Sequence, residues 1–388
     1  MNVKTIKNIK DLKGKKVFLR ADFNVPIKNN IVRDDFKIVS SLPTIRHLRR
    51  YGAKIILASH LGKPGGEYNS EYSLKPVATR ISRLLGARVN FIPGEIGLEA
   101  ETAVGKMKPG DIILLDNLRF NKGEEKNSKT FARRMAKLAD IYVNNAFAVS
   151  HRAHASVSAM TNYLPVYSGL LLEKELINLN KILKPKHPLI LVMGGSKIGT
   201  KIKLVKKLHK NANKILVGGA LANNFLLARG YKTGESLIDR DSIKFAKSFK
   251  SKKIIIPIDV VVKNKLTGKI NSRKLSEIES VDAILDIGPE TIRLFSSFIK
   301  RAATVIWNGP MGMYESPRFK AGTMSIGQVI ASKSTGKAFG LVGGGETVEA
   351  LKKTKMQDHV DWVSTGGGAM LSYLGGEKMP GLKKIINK

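Results

Sequence analysis

Short apolar runs recur along this chain, and most open into polar residues or glycines before a stretch with helical spacing. Residues 338–351, AFGLVGGGETVEAL, carry the pattern in full. Residues 338–342 read as a buried strand, Gly343, Gly344 and Gly345 as a turn, and Glu346 onward as a helix start. Repeated strand–helix alternation constrains the fold strongly. Parallel strands need crossover helices, and those helices cover both faces of a sheet. The same turn has a chemical reading. Glycine lets backbone approach a ligand closely, and a helix N-terminus favours an anion. A tight turn without a ligand would have the same sequence.

In the first half the pattern predicts strands at 16–19, 54–58, 111–115 and 141–143, with helices near 38–51, 74–85 and 130–139. The first of these helices is apolar at Ile38, Leu42, Ile45 and Leu48, on one face. Each strand runs into polar residues: Arg20, Asp22 and Asn24; Ser59 and His60; Asp116, Asn117 and Arg119; Asn144 and Asn145. Ligands of open α/β sheets bind at the carboxyl ends of the strands. The cations Arg20, His60, Lys63, Arg119 and Arg152 are therefore expected on one edge, joined by Lys37 from a helix start. That is a site for a small molecule with several negative charges.

Residues 167–183 read as one long helix, after which the motifs change character. Further strands are expected at 189–193, 214–217, 254–262, 283–286, 304–307, 338–342 and 362–364, nearly all followed by glycine. This is the pattern of a doubly wound nucleotide-binding sheet. The fold class expected is thus α/β, two doubly wound parallel-sheet (Rossmann-like) domains joined by a long helix. A length of 388 residues suits two domains. The expected boundaries are 1–169, a bridge at 170–187, and 188–376, with the tail 377–388 packing back on the first domain.

Several chemistries are excluded. The chain has no cysteine, hence no disulfide, thiol chemistry or Cys-ligated metal. GGSKIGTK is not a Walker A loop, which needs Gly-Lys followed directly by Ser or Thr. Its Lys197 and Lys201 lie four apart, as a phosphate-binding pair or as two surface lysines. No GxGxxG follows a strand, and neither HExxH nor a G-x-S-x-G elbow is present. The formal charge is +36, yet the lysines are dispersed and aromatics are only 6%. Nucleic-acid binding by base stacking is therefore not expected, whereas attraction of anionic metabolites is. No signal-peptide core opens the chain, and a cytoplasmic location is expected.

RADFNVP, SHLGKP, LDNLRF, NNAFAVSHRAHAS, GGSKIGTK, GGALANNF, DIGPET, WNGPMGMYE, GGGET and STGGGA, in this order, make the chain resemble the phosphoglycerate kinase family over essentially its whole length. The resemblance implies a monomeric, hinge-bending, two-domain glycolytic enzyme. It implies transfer of a phosphoryl group from 1,3-bisphosphoglycerate to ADP, giving 3-phosphoglycerate and ATP with Mg²⁺. It puts the triose site on Asp22, Phe23, Asn24, Lys37, His60, Leu61, Gly62, Lys63, Arg119 and Arg152. It puts nucleotide along Gly194, Gly195, Lys197, Lys201, Gly218, Gly219, Ala220, Asn308, Gly309, Pro310 and Glu315, and along Gly344, Gly345, Glu346 and Thr347. Lys37, Lys197, Gly344 and Gly345 would serve the transferring phosphoryl, and Glu346 would hold Mg²⁺.

This chain also departs from the family pattern. Lys37 and Lys63 stand where the family carries Arg, Asn145 where it usually has Asp, and Glu346 where Asp is usual. A lysine keeps the charge of arginine and loses its planar fork of donors. Glu keeps the carboxylate and reaches one methylene further. A weakened member serving as a binding or scaffold protein is the alternative that these departures and the basic surface raise.

Overall fold

The computed structural model describes residues 2–196 and 198–387. They form two compact units, Met1–Ile177 with Lys378–Lys388, and Asn178–Glu377. The helix Leu170–Leu183 carries the chain from the first unit into the second.

The first unit is built on a six-stranded sheet. Its order is Asn90–Ile92, Ile112–Leu115, Lys54–Ala58, Lys16–Arg20, Ile141–Asn144 and Val166–Ser168, and every pairing is parallel. The central strands are buried on both faces. Val17, Phe18 and Leu19 are fully buried, as are Ile55, Ile56 and Leu57. Each such side chain contributes about 1.5–3 kcal/mol relative to exposure, so an unbroken apolar run is what a two-faced sheet selects. The helix Phe36–Arg50 lays Ile38, Leu42, Ile45 and Leu48 into this core. It contains Pro43 at its middle, where the missing N–H leaves Val39 O without its intrahelical donor. The strand order reverses between Lys16–Arg20 and Ile141–Asn144. The carboxyl end there is the topological switch point, where doubly wound sheets bind ligands. The tail closes this unit: Ile386–Asn387 pairs antiparallel with Asn2–Val3.

The second unit has its own six-stranded parallel sheet. Its order is Ile254–Ile255, Lys214–Val217, Leu189–Met193, Thr304–Asn308, Phe339–Gly343 and Trp362–Ser364. The switch point lies between Leu189–Met193 and Thr304–Asn308, above which sit Gly194 and Gly309.

Three expectations need correction. Residues 254–262 are not one strand. Pro257 interrupts them, and Asp259–Asn264 joins Ile270–Lys274 and Asp282–Ile287 in a separate antiparallel sheet. The strand near 283–286 therefore lies outside the parallel sheet. Residues 167–183 are not one helix: Val166–Ser168 is an edge strand, and the helix begins at Leu170 after Gly169. Several elements were not expected at all, among them the strand Asn90–Ile92 and the hairpin Ile27–Lys28 with Ile31–Val32, turned by Asn29 and Asn30 at φ 53° and 56°.

Candidate active site

At the carboxyl edge of the first sheet, Arg20 ends its strand and Ala21 to Asn24 turn away from it. Asp22 is 6% exposed. Its Oδ2 lies 2.7 Å from Lys37 Nζ, and its Oδ1 accepts the Asn24 N–H at 3.0 Å. Burial pushes the Asp22 carboxyl up. Lys37, His60 and these hydrogen bonds outweigh that and hold it below its usual value. Asn24 is exposed, and its Oδ1 accepts the Gly62 N–H at 3.0 Å, which ties the loop after the next strand to this one. Arg119 is 4% exposed, and its Nη1 donates to Gly62 O at 2.6 Å. Arg119 Nε is 3.1 Å from Glu125 Oε1, close enough to pair, but the N–H is not aimed at the carboxylate and forms no hydrogen bond.

Electrostatics report how far the cations converge. Burial first, then Arg20, Arg119 and Lys37, hold His60 well below the ordinary histidine value, against the pull of Asp22. Burial first, then Arg119, Arg20, Arg152 and His151, take His154 down to about 4. Arg119, Lys37 and Arg152 therefore share one cationic field, and His60 sits within it as a neutral imidazole, not as the cation the sequence suggested. Lys63 is exposed on the adjoining loop. Phe23 and Leu61 belong to the core, which leaves only their backbone atoms to a ligand.

Arg20 corrects the expected picture of a strand-end cation facing a ligand. It is fully buried, and its Nη2 pairs with the equally buried Glu124 Oε1 at 3.9 Å. Its Nε donates to Ser156 Oγ at 2.8 Å. Removing one partner of a buried ion pair costs about 3–5 kcal/mol. Glu124 had no sequence signal, because it lies in a short helical turn, Lys122–Glu125, far along the chain from both Arg20 and Ser156.

In the second unit the strand-end loops pack onto one another through backbone. Gly194 N–H donates to Asn308 O at 3.0 Å, Gly195 N–H to Pro310 O at 2.7 Å, and Gly219 N–H to Met311 O at 2.8 Å. A Cβ on Gly194 would overlap Pro310 O, and one on Gly309 would overlap Gly194 O. Close approach of two loops, more than direct ligand contact, requires glycine there. Gly218 is pressed likewise against Met311. Asn308 Nδ2 donates to Gly343 O at 2.6 Å, and the buried Thr347 Oγ1 accepts the Gly309 N–H at 2.7 Å.

The turn of residues 343–345 resolves in detail. Gly343 ends the strand and Gly344 caps the helix Gly345–Lys353 with φ 101°, a left-handed value that favours glycine. Val348 N–H is the first to bond back, to Gly344 O at 2.9 Å. The N–H groups before it have no intrahelical acceptor. Gly345 is exposed, with open space where a Cβ would stand. Lys201 is buried, and its Nζ and Glu346 Oε2 both reach the space beside Gly195, 3.2 and 3.5 Å from where a Cβ would sit. Lys197 lies outside the described residues.

Beside these loops is a cavity of about 400 Å³. Gly195, Gly219, Ala220, Pro310, Glu315 and Glu346 line it, together with apolar side chains such as Leu237 and Met311. Its wall includes Asp286 from the antiparallel sheet, a residue with no anticipated role. Burial raises the Asp286 carboxyl to about 7, against hydrogen bonds from the Gly322 and Ile287 amides. An apolar slot with an anion cradle and a carboxylate at its rim suits a nucleotide.

A family model for phosphoglycerate kinase matches residues 6–377. The chain is 42% identical over 395 residues to the phosphoglycerate kinase of Pseudothermotoga lettingae, spanning 99% of this chain and 98% of that one. It is 42% identical over 399 residues to that of Borreliella burgdorferi (strain ZS7), spanning 100% of both. The structure of phosphoglycerate kinase from Coxiella burnetii matches with a TM-score of 0.87 at 36% identity, over 99% of this chain and 98% of that one. The Pyrococcus horikoshii OT3 enzyme matches with the same TM-score at 30% identity, over 98% of both. The likeness runs through both units and both sheet edges, and the chain belongs to the phosphoglycerate kinase family, enzymes that move a phosphoryl group between 1,3-bisphosphoglycerate and ADP.

Proposed function

We propose that the two units divide the reaction. The first, with its cationic edge, holds the triose through Asp22, Asn24, Lys37, His60, Lys63, Arg119 and Arg152. The second holds ADP or ATP in its cavity, with the phosphates toward Lys201 and the start of the helix Gly345–Lys353. The observation that carries this reading is the contrast between the two switch points. One is lined with cationic side chains. The other is lined with glycine backbone and adjoins an apolar slot.

Phosphoryl transfer asks the protein for positioning and charge neutralisation rather than covalent chemistry. Arg119 offers a planar fork for phosphate or carboxylate oxygens. Lys37 presents a point charge, aimed by Asp22. Transfer requires the two ligands to meet, so hinge-bending and a contribution from Lys197 belong to the proposal.

The residues fit Mg²⁺ carried in by the nucleotide. Among the described residues no group of three or more metal-ligating side chains exists, so no all-protein cage is offered. Glu346 is a single half-buried carboxylate beside Lys201 and the Gly195 loop. Mg²⁺ is commonly held by one or two carboxylates plus substrate phosphates. When bound, it neutralises phosphate charge; Glu346 would hold it and Lys201 would share the load.

No helix among the described residues is long and apolar enough to cross a membrane. We place the enzyme in the cytoplasm, as a monomer. A coupled assay of purified protein with ADP, Mg²⁺ and 1,3-bisphosphoglycerate tests the proposal. Turnover well above that of Lys197→Ala is expected. Equal rates would overturn it, and tight, sequence-independent DNA binding at physiological salt would then favour a scaffold role.

A further inference from the structure

Beneath the cationic edge of the first unit, one contact sets the protonation of a residue above it. Arg20 Nη2 lies 3.3 Å from His60 Nδ1. A guanidinium has only donors. Nδ1 must therefore accept, and the imidazole proton must sit on Nε2. A second proton, on Nδ1, would set two donors face to face. We propose that Arg20 is a positioning residue, whose buried guanidinium fixes His60 as the neutral Nε2–H tautomer and so presents one N–H donor to the anionic triose.

Arg20 has no freedom to release this contact. It is fully buried at the end of its strand. Nε donates to Ser156 Oγ at 2.8 Å, Nη1 donates to Ala21 O, and Nη2 faces Glu124 as well as His60. Ser156 in turn gives its hydroxyl proton to Glu124 Oε1 at 2.6 Å and its N–H to Oε2 at 2.9 Å. Tyr142 OH donates to Ser156 O at 2.7 Å and holds that loop on the sheet. Four partners around three nitrogens need a planar fork, which lysine lacks. On the other side of the ring, His60 Nε2 makes no hydrogen bond among the described residues and is not sealed from solvent.

The charged groups facing the imidazole are Asp22, Arg20, Arg119 and Lys37. Asp22 alone favours the imidazolium, while burial and the three cations oppose it. The His60 position thus supplies a donor whose charge does not change between mildly acidic and mildly basic pH. Triose affinity is insulated from pH at this residue. The inference rests on the reading of this edge as the triose site.

The test has two readouts on the full chain. In ¹⁵N-imidazole NMR of the substrate-free enzyme, His60 should keep the Nε2–H pattern and not titrate between about pH 5.5 and 8. In Arg20→Met with Glu124→Gln, which removes both buried charges together, tautomers should mix and His60 should titrate inside that window. The KM for 3-phosphoglycerate should then rise about ten-fold at pH 8, the loss expected for a misplaced donor to a charged group, with kcat changed less. That rise should shrink as His60 protonates. Should the double variant not fold, Arg20→Lys is read the same way. Titration of His60 near 6.5 in the wild type, or an unchanged tautomer in both variants, would overturn the role of Arg20. His60→Ala separates the two readings. An unchanged KM there would overturn the presentation of His60 to the triose, whatever the NMR shows of Arg20.

Discussion

The Lys37 ammonium stands 2.7 Å from Asp22 Oδ2, with the Lys37 side chain 28% exposed and the Asp22 side chain only 7%. The carboxylate takes one side of the ammonium and leaves the other to solvent. Lysine has three donors, so an aimed Lys37 can receive a second anion without leaving the first. Lys37→Ala is expected to lower kcat about 100-fold or more while moving the KM for 3-phosphoglycerate far less. Equal losses in both would mean Lys37 serves only ground-state binding. Lys37→Arg should match or exceed the wild type. A large drop would indicate that the Asp22 pocket has adapted to lysine.

Two glycines separate a packed turn from an anion cradle. Gly194→Ala pushes a methyl into Pro310 O and should destabilise the second unit by about 1–3 kcal/mol. Gly345→Ala meets open space and should change stability by less than about 0.5 kcal/mol. It should nonetheless raise the KM for ADP several-fold, because the methyl occupies the approach to the helix N-terminus. Denaturant melts and steady-state kinetics on the pair decide the matter, and an unchanged KM in Gly345→Ala would reduce the turn to a turn.

Asn145 is fully buried, and its Oδ1 accepts from Thr44 Oγ1 at 2.9 Å and from Leu171 N–H at 3.2 Å. Its Nδ2 has no partner. Asn145→Asp removes the stranded donor and places a carboxylate at the start of the helix Leu170–Leu183. A gain of about 1 kcal/mol is expected, read as a higher melting temperature. A lower one would mean that desolvating the charge outweighs both gains.

Asp286 makes stability depend on pH in an unusual direction. Its folded-state value of about 7 lies above the value near 3.8 that it has when unperturbed. Between the two, the folded protein keeps a proton that the unfolded chain has released. Stability should therefore fall as pH rises from about 4 to about 7, and the fall should stop above that, with a contribution on the order of 2–4 kcal/mol. Denaturation midpoints of wild type and Asp286→Asn across this range check it, since the variant should lose this part of the slope.

Strands 54–58, 189–193 and 214–217 were legible to the residue, because a strand covered on both faces must be a largely unbroken apolar run. Residues 254–262 looked equally apolar, and only Pro257 hinted that two sheets share them. Tyr167 and Ser168 read as helix because an edge strand of three residues is too short to show its period. At the candidate site, Asp22, His60 and Arg119 were expected at one sheet edge because each follows a strand, and the structure brings them together there. Glu346 and Lys201 were singled out by residue type. Their meeting beside Gly195 was not legible.

By itself the sequence determined the α/β class, the doubly wound sheets and the two kinds of strand end, since these follow from local periodicity and side-chain type. Tertiary structure alone decided what each strand-end cation packs against. Arg20 and Arg119 both follow apolar strands, yet Arg20 is buried against Glu124 and Ser156, while Arg119 joins the cationic field with Arg152. The difference depends on partners more than a hundred residues away in the chain. Local pattern carries no trace of such partners, because the cost of burying a charge is set by what the fold brings beside it.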